Sequence, residues 1–473
     1  MRVGAHDASH SAGTAASSGA SYKRETTTRI SAEVRKMSRA ANPIERSRAT
    51  RGGLLGLGAL VLIGVLVSGC AGQAAAMAEA TSQATRAAGS PNDAAQAATA
   101  IDAFGFDFYK ATLTSGGNAV FSPASVVLAL SMAQAGAVGE TASQMDAVLH
   151  SAADSGGGNG INSLDQALAG LSGTFKDANG TDQQLTLRIA NAPFAQSGLQ
   201  LQEPFLDTLA SRYGAGLRLV DFQNDPGGAC RLIDGWVSDQ TEGRIPELLA
   251  SLDPTTRLVL VNAIYLKAPW QTPFDVKSTN PEPFTRSDGS QVSVPTMSLN
   301  LTEGSYAAGS GWQAVELPYA DGSLAMTIVV PDDLATFEGS LDAAGLAQIT
   351  ASLQPTDVDL TLPRFKIETK SDLSSTLAQM GMPLAFDPDR ADFSGISTQE
   401  QLYISAVIHQ ANISVDEKGT EASAATAVEI AAAATTAPRK QVTLHVDRPF
   451  IFAVRDRNTD AILFLGRVVD PST

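Results

Sequence analysis

Downstream of about residue 94, the pattern of apolar and polar positions predicts a mixture of helices and strands. Ile101, Phe104, Phe108 and Leu113 recur at helical spacing and predict an amphipathic first helix. Leu258–Leu266 is almost continuously apolar, which is typical of a strand that is buried on both faces. Further strand-like runs are Leu185–Phe194, Val358–Ile367, Leu402–Ile413 and Val442–Val446.

A few polar residues beside or within apolar runs predict a helix cap and buried hydrogen bonds. Pro123 fits the first turn of a second helix, where a missing N–H group is tolerated, and Ser122 is a candidate cap. The residues after Pro123 are mostly apolar, so we expect this helix to be buried. Asn262 lies in the middle of a predicted buried strand and therefore needs a hydrogen-bond partner.

The segment Val415–Pro438 is consistent with two structures. As a strand, its residues 420–430 separate cleanly into two faces, one with small or apolar residues and one that carries Glu421 and Glu429. The first face comprises Thr420, Ala422, Ala424, Thr426, Val428 and Ile430. As an Ala-rich run that includes Glu421 and Glu429, the same residues also fit an exposed helix or a linker.

Composition and charge narrow the classes of function. The chain has 473 residues, of which 44% are hydrophobic, enough for a large core in one large mixed domain or in several smaller ones. The net charge is −16 overall and +6 within residues 1–69, so the remainder carries −22. This strongly acidic remainder argues against nucleic acid or other polyanions as partners.

The N-terminal 69 residues are predicted to be a signal peptide with a long polar first region. Leu54–Val67 is an apolar run that is short for a membrane span and suits a signal-peptide core. The V-S-G-C sequence that ends at Cys70 resembles the lipobox of bacterial lipoproteins, in which the cysteine is acylated. An uncleaved signal anchor is the alternative, and Met37 is an alternative start that would shorten the polar region.

Residues 70–93 are predicted to be a flexible tether, because they are rich in Ala, Gly, Ser and Gln and show no apolar period. Cys230 is the only other cysteine of the chain. If Cys70 carries a lipid, Cys230 has no disulfide partner and is a structural or idle thiol.

The residue types that hydrolases require are not arranged as in known catalytic motifs. The chain has five histidines, His6, His10, His150, His409 and His445, but no G-x-S-x-G elbow and no H-E-x-x-H zinc motif. A single histidine on an apolar strand is usually a hydrogen-bonded core residue, and His409 fits that interpretation. We therefore expect the chain not to be an enzyme and to need no metal or cofactor.

Several stretches resemble the serpin family of serine protease inhibitors. D-E-K-G-T-E-A-S-A-A-T-A, at Asp416–Ala427, closely resembles the hinge of the reactive-centre loop of inhibitory serpins. F-S-P-A-S at Phe121–Ser125, A-N-A-P-F ending at Phe194, and L-P-R-F-K-I ending at Ile367 are also similar to serpin patterns. The Ile233–Ile245 stretch resembles a further serpin helix, but has Asp234 where Asn is usual.

The resemblance implies a fold and assigns roles to residues. It implies an α+β serpin fold: one multi-helix domain, residues 94–473, around a large central β-sheet, with further sheets and an exposed reactive-centre loop at about 417–441. The implied breach residue is Trp270. The implied shutter, a polar cluster beneath the sheet, is Ser122, Ser125, Asn262 and His409. The implied hinge comprises Glu417, Gly419, Thr420, Glu421, Ala422, Ser423, Ala424 and Ala425.

The resemblance also implies a mechanism. A serine protease, or a cysteine protease, cleaves the loop and is trapped as a covalent acyl complex while the loop inserts into the sheet. Counting along the loop as in inhibitory serpins gives Ala433–Ala434 as the reactive bond, which suits elastase-like or subtilisin-like proteases; Arg439 or Lys440 would suit a trypsin-like one. Together with the lipobox-like sequence at Cys70, the resemblance predicts a monomer that is exported as a cell-surface lipoprotein or an extracellular protein and touches the membrane only through a lipid at Cys70. The alternative is a non-inhibitory serpin that acts as a binding or chaperone-like protein.

Overall fold

The structure, a computed structural model, describes residues 77–112, 116–151, 159–176, 181–421 and 441–473. The expected signal peptide, Cys70, Ala422–Ala425 and the Ala433–Ala434 bond lie outside these residues. The helices of the described part are α1 (Pro91–Thr112), α2 (Pro123–Gln134), α3 (Gly139–Val148), α4 (Asn159–Ala169), α5 (Glu203–Thr208), α6 (Pro226–Gln240), α7 (Leu334–Ser340), α8 (Ala343–Ala351) and α9 (Ser374–Met380).

The strands are interspersed with these helices along the chain. They are β1 (Ala78–Ala80), β2 (Ala119–Phe121), β3 (Gly173–Lys176), β4 (Asp182–Gln196), β5 (Leu217–Val220), β6 (Leu258–Pro269), β7 (Asn280–Thr285), β8 (Gln291–Gly309), β9 (Trp312–Pro318), β10 (Leu324–Pro331), β11 (Gln354–Pro363), β12 (Phe365–Asp372), β13 (Ile404–Asp416), β14 (Gly419–Thr420), β15 (Gln441–His445), β16 (Phe450–Asp456) and β17 (Ile462–Val468). Among the described residues, β7–β10 and β13–β17 follow one another without an α-helix between them.

Two sheets organise the described residues. The first has the order β1-β5-β4-β6-β14-β13-β12, with β3 added to β4, and the second has the order β15-β11-β8-β9-β10-β16-β17-β2, with β7 added to β8. The helices and the sheets confirm the expected α+β architecture with a large central sheet.

The central strand β6 is covered on both faces, as its continuous apolar run predicts. Leu260, Ile264 and Leu266 belong to the core that includes α2. Val259 and Val261 belong to a second core, which includes residues of α6 on the opposite face. Because successive side chains of a strand point to opposite faces, a strand between two helical layers needs apolar residues at every position.

The start of α2 is the predicted one. Pro123 is its first residue, and the Ser122 side chain caps the helix by accepting a hydrogen bond from the Ser125 N–H group at 3.2 Å. This local geometry matters because it fixes two buried serines directly beneath the first sheet.

The described part of the expected flexible tether is packed against the body of the protein, which corrects that expectation for residues 77–93. β1 pairs antiparallel with β5 at the edge of the first sheet. Arg86 forms an ion pair with Asp165 and donates a hydrogen bond from Nε to Asn162 Oδ1 at 3.0 Å. The composition gave no sign of this contact because it depends on backbone pairing and one arginine, and not on an apolar face. No helix of the described residues is long and apolar enough to cross a membrane.

Candidate functional site

The first sheet is split at one end. β6 and β13 pair in parallel from Leu258 and Ile404 as far as Ile264 and Ala411, and then they separate. The two residues of β14 lie in the resulting gap and pair antiparallel with both neighbours. The gap extends from β14 to the last β6–β13 pair. Along it, residues 265–267 of β6 and residues 412–414 of β13 face each other but do not pair with each other, and no described strand lies between them.

The residue before β14 is anchored by charge and by its backbone. The Glu417 carboxylate accepts hydrogen bonds from Arg364 Nε at 2.9 Å and from the Thr279 hydroxyl, and its backbone carbonyl accepts from the Phe274 N–H group at 2.8 Å. Burial alone would raise the pKa of Glu417, but the bonds from Arg364 and Thr279 outweigh it and leave that pKa below its ordinary value. Glu417 is therefore an ionised anchor at the base of the hinge.

Gly419 occupies a backbone position that only glycine can fill without strain. Its φ is +147°, and a β-carbon at this position would lie 2.1 Å from the carbonyl oxygen of Ala268. The close approach allows β14 to pair with the end of β6.

Thr420 is completely buried in the gap, as expected for the inward face of the hinge. Its hydroxyl is 2.7 Å from the hydroxyl of Tyr319, whose ring stacks on Trp270 with centroids 4.6 Å apart. Trp270 in turn donates from Nε1 to the carbonyl of Asp416 at 2.9 Å and from its backbone N–H group to the carbonyl of Lys418 at 2.8 Å. Trp270 thus lies at the place where the sheet opens, and it is also a core aromatic.

β14 ends at Thr420, Glu421 is the last described residue after it, and the chain is next described at Gln441, the start of β15. β15 pairs in parallel with β11 at the edge of the second sheet. The 19 residues between these points, 422–440, connect the two sheets, and they include the rest of the hinge and the expected reactive bond.

The four expected shutter residues lie together beneath the closed part of the first sheet. Asn262 Nδ2 donates to Ser125 Oγ at 2.6 Å, and its Oδ1 is hydrogen-bonded to Nδ1 of His409. The Ser122 N–H group donates to His409 Nε2 at 3.2 Å. Because Nε2 accepts, the proton of the neutral ring lies on Nδ1 and is donated to Asn262.

Asn191 of β4 is a fifth member of this cluster that the sequence analysis missed. It lies beside Asn262 in the sheet register, as His409 does on the other side, so the three residues form one row across β4, β6 and β13. Its Oδ1 accepts from Asn262 Nδ2 at 2.7 Å and from Ser125 Oγ at 3.0 Å. A polar residue in the middle of an otherwise strand-like run was the signal available in the sequence.

The four expected shutter residues are completely buried and uncharged. Burial lowers the pKa of His409 to about 3, so the ring is neutral at physiological pH. The side chains of Ser125, Asn262 and His409 are hydrogen-bonded within the cluster, and the Ser122 N–H group also donates to His409, so the cluster joins β4, β6 and β13 to the start of α2. Separating β6 from β13 at this row breaks the bond between Asn262 and His409.

The contacts of Asp234 show why an aspartate can replace the asparagine that is usual at this position. Asp234 Oδ1 accepts hydrogen bonds from the N–H groups of Leu248 and Leu249 at 2.8 and 2.9 Å. An asparagine oxygen can accept the same two bonds, so either residue type fits.

Cys230 on the same helix is a free, buried thiol, and no cluster of acidic, His or Cys residues in the described ranges could hold a metal ion.

Comparison with known proteins places this geometry in a family. The family model described as serpin (serine protease inhibitor) matches residues 99–471. An uncharacterized serpin-like protein of Thermococcus kodakarensis is 38% identical over 377 residues, which cover 79% of this chain and 85% of that one. The leukocyte elastase inhibitor of Bos taurus is 37% identical over 373 residues, or 75% of this chain and 93% of that one.

Solved structures are similar over the same region. The thermophilic serpin tengpin in its native state has a TM-score of 0.71 at 28% identity, with 83% of this chain and 99% of that chain covered. Thyroxine-binding globulin in complex with thyroxine has a TM-score of 0.67 at 29% identity, with 79% and 99% covered. The chain therefore belongs to the serpin family of protease inhibitors, and it is not an enzyme.

Proposed function

We propose that this serpin is a suicide-substrate inhibitor of serine proteases, and also of cysteine proteases, that traps its target by inserting the cleaved loop into the first sheet. The observation that carries the proposal is the position of β14. Gly419 and Thr420 already lie in the gap between β6 and β13, paired with both strands. Insertion therefore continues a strand that has already begun.

The register of β14 predicts how the strand would be extended. Continuing it places Ala422 between Leu266 and Ile413 of the open gap. Ala424 then falls between Ile264 and Ala411, the last closed pair, so each further residue must separate β6 from β13.

The same register brings a hydroxyl group to the shutter. Thr426 would lie between Asn262 and His409, on the inward face that it shares with Thr420. Its hydroxyl, both a donor and an acceptor, is suited to replace the bond between Asn262 and His409 that insertion breaks.

The energy released by insertion is large enough to act on a bound protease. A strand of about fifteen residues, from Gly419 to Ala433, spans about 50 Å at roughly 3.3 Å per residue. Insertion replaces the single ladder between β6 and β13 with two ladders, one on each side of the new strand. The gain is about one net hydrogen bond per inserted residue, at roughly 0.5–1.5 kcal/mol each. With burial of the small inward side chains, the total reaches about 10 kcal/mol or more.

The small residues at the expected reactive bond predict the class of protease that the loop would attract. Cleavage at Ala433–Ala434 suits elastase-like or subtilisin-like proteases with shallow pockets, because methyl-sized side chains fit there and supply only about 1–3 kcal/mol of discrimination. Several relatives are leukocyte elastase inhibitors by name. Arg439 and Lys440 are the alternative site for a trypsin-like protease, but they follow Pro438 and lie farther from the hinge.

We also propose export and lipid attachment at Cys70, with a monomeric inhibitor held at the cell surface. The V-S-G-C sequence after the Leu54–Val67 run supports this proposal. Met77, the first described residue, follows Cys70 by seven positions, so at most about 25 Å of chain, at roughly 3.5 Å per residue, separates the two. Labelling cells with a palmitate analogue tests this: the wild type should be labelled and C70A should not.

A binding or chaperone-like serpin is the second candidate, favoured by the similarity to thyroxine-binding globulin. Titration with pancreatic elastase and with subtilisin separates the two. Inhibition gives an SDS-resistant complex at a near-equimolar ratio, with a C-terminal peptide that begins at Ala434. Loop cleavage without a complex with either protease would support the binding function instead.

A further inference from the structure

Glu421 directly follows β14 and is the last described residue of the expected hinge. Its φ is +50°, an unusual value for a residue other than glycine, and its backbone N–H group donates to the carbonyl of Ser414 at 3.0 Å. Its side chain is only 14% exposed. A carboxylate at this depth needs a nearby cation.

Arg244 supplies that cation from the turn between α6 and β6. Its Nε lies 3.6 Å from Glu421 Oε2, and its Cζ lies 5.9 Å from the ring centroid of Tyr265. Tyr265 belongs to the part of β6 that faces the open gap. The guanidinium group is thus placed beside the next position that the inserting strand must fill.

The register shows that the charge of Glu421 keeps basic neighbours as insertion proceeds. One further step of β14 puts Glu421 opposite Lys267 of β6 and Ser414 of β13, and Ser414 is paired with Lys366 of β12. Thr420 points inward, so Glu421 in an extended strand points to the other face, which it shares with Tyr265 and Lys267. The carboxylate therefore moves between cations and is not carried into the apolar core.

We propose that Arg244 is a positioning residue for loop insertion: it holds Glu421 at the mouth of the gap, so that the cleaved loop extends β14 in register without delay. The inference rests on the proposed inhibitory function. The ion pair keeps Gly419, Thr420 and Glu421 in the gap. These docked residues are a preformed nucleus from which the inserted strand grows. Without Arg244, the hinge detaches more often and must find its register again after cleavage.

The consequence is kinetic, because insertion competes with hydrolysis of the acyl bond. Arg244 is 53% exposed, and a partly exposed ion pair typically changes a rate by about two- to fivefold. R244A is expected to slow insertion by this factor. The ratio of cleaved inhibitor to trapped complex then rises by about the same factor.

The test measures this ratio and the insertion rate with an elastase that the wild type traps. R244A and R244E should raise the ratio, R244K should restore most of the wild-type value, and the swap R244E/E421R should improve on R244E alone. R231A is the matched control, because Arg231 is an exposed arginine of α6 that forms no ion pair with Glu421. Thermal unfolding of each intact variant separates a rate effect from a loss of fold.

The two proposals fail in different ways. If the wild type forms no complex with any protease, the inhibitory function fails, and the role of Arg244 fails with it. If the wild type traps protease and R244A does so with the same ratio and insertion rate, only the role of Arg244 is refuted. A faster insertion in R244A would also refute it, because the ion pair would then restrain the hinge.

Discussion

Replacing Thr420 with arginine perturbs the step on which the proposed trap depends. Thr420 is fully buried between β6 and β13, and its hydroxyl contacts Tyr319 at 2.7 Å. A guanidinium group at this position would point into the gap. It would lose its hydration there without gaining a carboxylate, because the neighbouring Glu417 is already bonded to Arg364 at 2.9 Å.

The magnitude follows from the cost of an unpaired buried charge. That cost is several kcal/mol for a single ion even after the structure relaxes. A barrier raised by about 3 kcal/mol slows insertion more than 100-fold at roughly 1.4 kcal/mol per factor of ten. T420R should therefore be cleaved normally but released, because hydrolysis of the acyl bond outruns insertion.

The assay is titration of the protease with T420R, with T420S as the matched control. T420S keeps a small side chain with a hydroxyl and should trap protease like the wild type. Denaturing gels should show cleaved inhibitor and no SDS-resistant complex for T420R. Should T420R trap protease at the wild-type stoichiometry, the inserting strand does not pass through this gap, and the reasoning is refuted.

Three further predictions follow from single contacts. G419A should expel β14 and make the protein a substrate, because its β-carbon would lie 2.1 Å from the carbonyl oxygen of Ala268; normal trapping by G419A would contradict this. Because the pKa of His409 is lowered to about 3 in the folded state, its contribution to the free energy of unfolding is full above about pH 6.5 and falls by up to about 1.4 kcal/mol per pH unit below it. Urea unfolding of the wild type and of H409N should show this difference shrink between pH 6.5 and 5, and a constant difference would exclude a neutral buried ring. R86A should lose the ion pair with Asp165 and release residues 77–90 to limited proteolysis, whereas an equally protected segment would show that β1 alone holds it.

Much of this site could be predicted from local sequence patterns. The period-two pattern places Thr420 on a face of small or apolar residues, and Thr420 is completely buried. The cap at Ser122 was also predictable, because a serine before a proline at a helix start has one common geometry.

Contacts between distant segments could not be predicted in this way. The ion pair of Glu417 with Arg364 joins residues 53 positions apart, and no pattern within either segment selects the partner. Asn191 joins the shutter only because the register sets it beside Asn262. The packing of residues 77–90 was missed for the same reason, since a short edge strand needs no apolar period to pair.

The stored energy of the open sheet is the central claim, and the melting temperature before and after cleavage tests it most directly. A protease that cuts near Ala433 without being trapped, or that is inactivated after the cut, provides the cleaved form. If the loop inserts and releases about 10 kcal/mol, cleavage should raise the melting temperature by more than about 10 °C for a domain of this size. Equal melting temperatures for the intact and the cleaved protein would contradict the account.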